Sequence, residues 1–151
     1  MVDVVIGVGN EIRGDDRAGL AVIDSLAAAG ASVRLVRSDG DPLEMIDTWQ
    51  DADSVALVDA VTSGSVVGTI HRLDVDDGPL PALLASRSTH LFGIGEAVEL
   101  ARQLGRLPGA LVIYGIEGAA FAPGTEMGAS VAESVSVVAG ELEALMEAAD
   151  A

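Results

Sequence analysis

Short β-branched apolar runs alternate with amphipathic stretches along the whole chain, and this alternation leaves few folds open. Val4 to Val8 is such a run, ending in Gly7-Val8-Gly9-Asn10, the pattern of a buried strand and its turn. From Asp16, the residues Leu20, Ile23 and Leu26, with Ala27, recur at helical spacing until Gly30 stops them. Strand, turn and helix make the first unit.

Further units follow. Ser32 to Arg37 alternates apolar and charged residues, as a strand with one wetter face does. Asp41-Pro42 offers a cap followed by proline at the first helical position, with Leu43, Ile46 and Trp49 as the apolar stripe. Ser54 to Val61 reads as a third buried strand with Asp59 near its carboxyl end. Thr62 to Ser65 is too short for a helix, so Gly68 to Val75 is expected to run back antiparallel to the third strand.

Residues 76–89 form a long polar, proline-marked loop of the kind that is often functional, and it is expected to order on contact with a substrate. Leu91, Ile94, Val98, Ala101 and Leu104 predict a helix capped by Ser88 or Thr89. Ala110 to Gly115 is the fifth strand, followed by a second glycine-rich loop. Ser130 to Glu133 has the capping-box pattern, and Val131, Val135, Val138, Leu142 and Leu145 line the last helix. The expectation is an α/β fold: a three-layer α/β/α sandwich with a mixed, mostly parallel five-stranded sheet, as one domain over residues 1–151.

Composition narrows the function classes. Only four residues are aromatic, so Val, Leu, Ile and Ala must build the core, which suits a buried parallel sheet. A formal net charge of −16 repels phosphate backbones and anionic lipid heads, which argues against nucleic acid and membrane partners. The absence of cysteine excludes disulfides, thiolate metal sites and a cysteine nucleophile. With no basic leader and no apolar stretch approaching the roughly 18 residues of a span, a cytoplasmic protein is the default.

In α/β sheets, ligands sit beyond the carboxyl ends of the strands, which draws attention to GVGNEIRGDDRAGLAV, residues 7–22. Ile12 stands where a dinucleotide-binding turn needs its third glycine, no P-loop lysine follows, and Glu11, Asp15 and Asp16 would meet a pyrophosphate with like charge. Asp15 and Asp16 can cap the following helix; one carboxylate suffices for that, leaving the second free to project into the crevice. Asp59 is an acid between apolar neighbours, where burial without a cation or a donor is costly. His90 begins a helix, whose dipole helps keep the imidazole neutral and therefore able to ligate metal. His71, on a strand among Thr69, Leu73 and Val75, reads as an ordinary satisfied histidine. Asp16, Asp59 and His90 fall on one predicted rim, and two carboxylates with one imidazole suit a divalent first-row metal with open positions.

The stretch GVGNEIRGDDRAGLAV, together with LVDAV around Asp59, STHLFGIGEAVELARQLGRLP around His90 and VIYGIEG, resembles the hydrogenase maturation endopeptidases. That family trims the C-terminal extension from the large subunit of nickel-iron hydrogenases. The resemblance assigns metal recognition and catalysis to Asp16, Asp59 and His90, the same three positions. Two departures stand out: Arg17 replaces a glycine, and Glu117-Gly118 replaces the glutamate-proline often found after the fifth strand.

The resemblance implies a nickel already inserted in the precursor and an aspartic-type, metal-dependent endopeptidase activity; oxygen and nitrogen donors alone discriminate little among divalent metals, so zinc or cadmium are expected as surrogates. The large-subunit precursor is the implied partner, and a monomer is expected. Either the metal or one of Asp16 and Asp59 activates the attacking water. A non-catalytic protein that recognises the same precursor is the alternative.

Overall fold

The computed structural model describes residues 2–75 and 93–150. Five strands form one sheet: β1 (Val4–Val8), β2 (Arg34–Ser38), β3 (Ser54–Val61), β4 (Ile70–Val75) and β5 (Ala110–Glu117). Among the described residues the α-helices are α1 (Ala18–Ala28), α2 (Pro42–Trp49), α3 (Gly93–Leu104) and α4 (Ala129–Asp150), and a 3-10 turn (Gly14–Arg17) precedes α1. Residues 76–92 lie outside the described residues. The expected loop at 76–89, the caps at Ser88 or Thr89 and the helical position of Leu91 fall there.

The strand order is β2-β1-β3-β5-β4, with β4 alone antiparallel to its neighbour. β1 and β3 are buried along almost their whole length, which is why they read as unbroken apolar runs. One face of the sheet packs Val5, Val58 and Ile116 against Val22 and Leu26 of α1 and Val138 and Leu142 of α4. The other packs Ile6, Leu57 and Ile113 against Ile46 and Trp49 of α2 and Val98 and Ala101 of α3. The expected three-layer mixed α/β sandwich is the observed one.

α1 lies close to the sheet because glycine lets it. A Cβ at Gly19 would stand 2.4 Å from the carbonyl oxygens of both Val8 and Val58, and one at Gly7 would stand 2.2 Å from Gly19 O. Gly19→Ala is therefore expected to lift α1 off β1 and β3 and to cost about 1–3 kcal/mol. Urea denaturation followed by the fluorescence of Trp49, the single, buried tryptophan, measures this; an unchanged midpoint would show that the contact carries no stability.

The hairpin expectation is corrected. β4 runs opposite to β3 but does not pair with it, because β5 is inserted between them. The physical reason is burial. β5 is buried on both faces over most of its length, whereas β4 alternates partly buried residues with exposed Arg72 and Asp74 and so takes the wetter edge. Val66 to Thr69 forms a turn, with Thr69 N–H donating to Val66 O and Gly68 at φ +93, which delivers the chain to β5. There Gly68 N–H donates to Glu117 O and Glu117 N–H to Thr69 O.

Several boundaries move as well. β5 continues through Glu117, two residues past the expected end. The Asp41 cap is present, its Oδ1 accepting from Leu43 and Glu44 N–H, with Pro42 at the first helical position. α4 begins at Ala129, so Ser130 lies inside the helix and the capping-box reading is displaced. Met146, not Leu145, completes its buried stripe.

Candidate functional site

The site is assembled at the carboxyl ends of β1, β3 and β5. The 3-10 turn that carries Asp15 and Asp16 packs against β3, the strand that carries Asp59. Asp16 is 3% exposed and Asp59 is fully buried. The turn is held over the end of β1, where Asn10 N–H donates to Asp16 O and a Cβ at Gly9 would strike that same oxygen at 2.2 Å. Asp59 Oδ1 accepts from Ala60 N–H at 2.8 Å. Two of the three residues singled out in the sequence are thus buried at the same end of the sheet, at the ends of neighbouring strands. His90 lies outside the described residues, and among the described residues no three His, Cys, Asp or Glu side chains form a group able to hold a metal ion.

The expectation that one of Asp15 and Asp16 caps the following helix is corrected. Neither side chain caps α1, whose N-cap is Arg17 with no side-chain hydrogen bond. Asp15 instead binds the loop between β5 and α4: its Oδ2 accepts from Ala119 and Ala120 N–H at 2.8 and 2.7 Å, and its Oδ1 from Gly128 N–H at 2.8 Å. Its own N–H donates to Ala120 O. One aspartate pins the late glycine loop onto the early one, and the next residue in the chain is Asp16.

Glu117 is a functional-site neighbour that spacing did not reveal. It is 2% exposed, and its carboxylate accepts from Ser63 N–H at 2.8 Å, from Ser63 Oγ–H, and from His71 Nε2 at 3.2 Å. Burial alone pushes the Glu117 carboxyl up, but the bonds from Ser63 and His71 outweigh it and hold the group below the ordinary carboxylate range. Glu117 therefore ties the exit of β3 to the start of β4, and His71 is satisfied, as its strand setting suggested. The one sequence sign was a glutamate inside the apolar run VIYGIEG. Gly118 N–H donates to Val61 O, a bond that the proline often found at this position in the resembling family has no hydrogen to make.

Beside the Asp16 turn, above the ends of β1 and β2, lies an open cleft of about 370 Å³ with Glu11, Leu20, Arg37, Asp39 and Glu44 among its walls. Arg37 is engaged by Glu11 and Asp24, an exposed network that contributes little to stability. Its charge is offset by these acids, so the cleft presents a net negative lining.

Known proteins resemble this chain in sequence and in structure. The hydrogenase expression/formation protein HupD of Thiocapsa roseopersicina is 29% identical over 119 residues, covering 76% of this chain and 53% of that protein. The HupD of Rhodobacter capsulatus is 26% identical over 119 residues, covering 76% and 56%. The chain thus spans about half the length of the curated relatives it matches. Among solved structures, the [NiFe] hydrogenase maturation protease HybD from Thermococcus kodakarensis superposes with a TM-score of 0.78 at 22% identity, covering 97% of this chain and 99% of that one. The hydrogenase maturating endopeptidase HybD from E. coli gives 0.76 at 20% identity, covering 99% and 94%. These two likenesses establish the fold. The model of the hydrogenase maturation protease family matches residues 22–145, and with most of its length matched, the chain belongs to that family.

Proposed function

We propose that the protein is an endopeptidase that removes the C-terminal extension of a nickel-iron hydrogenase large-subunit precursor once nickel is in place. The observation that carries this reading is the burial of Asp16 and Asp59 together at the carboxyl end of the sheet, in a chain of the maturation protease family. Their carboxylate oxygens, with the imidazole of His90, make a donor set suited to a divalent first-row metal. The nickel belongs to the substrate and supplies Lewis acidity at the scissile carbonyl. Asp16, Asp59 and His90 recognise it as the mark of a finished precursor, and one of the two carboxylates takes the proton of the attacking water. The cleft beside the Asp16 turn receives the polypeptide.

Oxygen and nitrogen donors discriminate little among divalent metals, so zinc or cadmium substitutes weakly when the precursor is absent. No described helix is long and apolar enough to cross a membrane. The reaction is proposed to take place in the cytoplasm, on a monomeric enzyme.

The test is incubation of the protein with nickel-loaded and nickel-free precursor. The large subunit is expected to shorten on a gel only in the loaded sample. Shortening of both would remove metal recognition from the reading, and binding without shortening would assign a recognition role in place of a catalytic one.

A further inference from the structure

Of the seven exposed large apolar residues among the described residues, Ile12, Leu43, Val66 and Val67 follow strand ends, whereas Leu104, Val137 and Leu145 lie beyond the first turn of helices. Among the described residues, the three most exposed large ones are Val66 at 81%, Ile12 at 65% and Leu43 at 62%. Each follows the carboxyl end of a different strand: Ile12 after β1, Leu43 in the first turn of α2 after β2, and Val66 after β3. Those three strands are neighbours in the sheet. All three side chains therefore rise from the end that buries Asp16 and Asp59. Leu145, less exposed at 42%, lines a cavity with Ser54 and Ala110, the first residues of β3 and β5, at the opposite end.

The backbones beneath these side chains are fixed. Ile12 N–H donates to Asn10 Oδ1, and Ile12 O accepts from Gly124 N–H at 2.7 Å. Leu43 N–H donates to Asp41 Oδ1. Val66 O accepts from Thr69 N–H and Oγ1–H, and the same turn is anchored through Gly68, whose N–H reaches Glu117 O and whose O accepts from Ser134 Oγ–H. Backbone that is already ordered before binding spares the partner the cost of ordering these turns.

Charge says what kind of surface fits. Glu11 and Glu44, next in sequence to Ile12 and Leu43, are both walls of the acid-lined cleft, so two of the apolar points flank it. A partner that seats here presents apolar side chains to Ile12, Leu43 and Val66 and basic groups to the cleft between the first two. A second copy of this chain, at net charge −16, is repelled by the same surface.

We propose that Ile12, Leu43 and Val66, with the acid-lined cleft between Ile12 and Leu43, form the surface on which the polypeptide substrate docks. The inference rests on the proposed function, which makes that substrate the large-subunit precursor. The surface acts in binding and takes no part in the chemistry.

The test is a triple variant, Ile12→Ser, Leu43→Ser and Val66→Ser, compared with the wild type and with Val137→Ser, a 45%-exposed apolar residue on α4. Exposed substitutions of this kind barely change stability, and circular dichroism checks the fold. With nickel-loaded precursor, the triple variant is expected to raise KM about tenfold or more with kcat within about twofold, while Val137→Ser matches the wild type. An unchanged KM, an equal effect of Val137→Ser, or a fall in kcat alone overturns the docking surface. Wild-type self-association that the triple variant abolishes also overturns it, because the occupant is then a second copy. If the wild type fails to shorten the precursor, the proposed function falls separately, and the surface is judged on affinity: about tenfold weaker precursor binding by the triple variant supports it, and equal binding overturns it.

Discussion

Asp59→Asn is expected to stop the processing of nickel-loaded precursor, the rate falling about a thousandfold or more, while the protein stays folded. The side chain is fully buried at the end of a strand that is buried on both faces, and asparagine keeps its shape and its acceptor for Ala60 N–H. What asparagine loses is the negative charge, which both metal recognition and proton abstraction require. Asp16→Asn and His90→Ala are expected to give the same loss in the same assay. Trp49 fluorescence and thermal melting separate a silent site from an unfolded chain. Normal processing by any one of the three variants would remove that residue from the site.

Asp15→Ala is expected to cost about 3–5 kcal/mol, the largest stability change of any single substitution considered. Three backbone N–H groups, of Ala119, Ala120 and Gly128, converge on one carboxylate that is 1% exposed, and alanine leaves all three without their acceptor. Asp15→Asn is not a gentle replacement either. One oxygen faces two donors and the other faces one, so whichever way the amide turns, its NH2 meets an N–H, and a loss of about 2 kcal/mol is expected. Chemical denaturation measures both. Hydrogen exchange adds a local readout, because the amides of Ala119, Ala120 and Gly128 should lose protection in both variants. Wild-type protection at those amides would show that the loop is held by other means. Since Asp15 precedes Asp16 in one 3-10 turn, processing is expected to fall together with that protection.

The legible parts of the structure are those governed by local pattern. β1 and β3 were readable residue for residue because strands buried on both faces leave continuous apolar runs. The α2 cap was readable because aspartate followed by proline has a backbone mechanism. Asp59 stood out as an acid near the end of an apolar run, and Asp16 as the second of two aspartates at a helix start. Strand order was not readable: nothing between Val61 and Ile70 records that a strand more than 40 residues later will occupy the place between them. The end of β5 was misjudged because Gly115 resembles a terminator, whereas in the sheet it sits between Asp59 and His71 with the side chain of Val61 packed over it. The duties of Asp15 and Glu117 left no trace in spacing for the same reason. Their partners are backbone amides and side chains 46 to 113 positions away, and an amide carries no residue identity.

The placement of β5 also governs the order in which the molecule can be completed. A ribosome that has released only the segment through Val75 has made β4 but not the strand that joins it to the sheet, so β3 waits with a bare, strongly apolar margin. Until residues 117–128 emerge, Asp15 lacks its three amides and Ser63 lacks Glu117. The pocket around the two buried aspartates is thus finished only when β5 and the loop that follows it have been made, so a nascent chain has no formed site to offer before then.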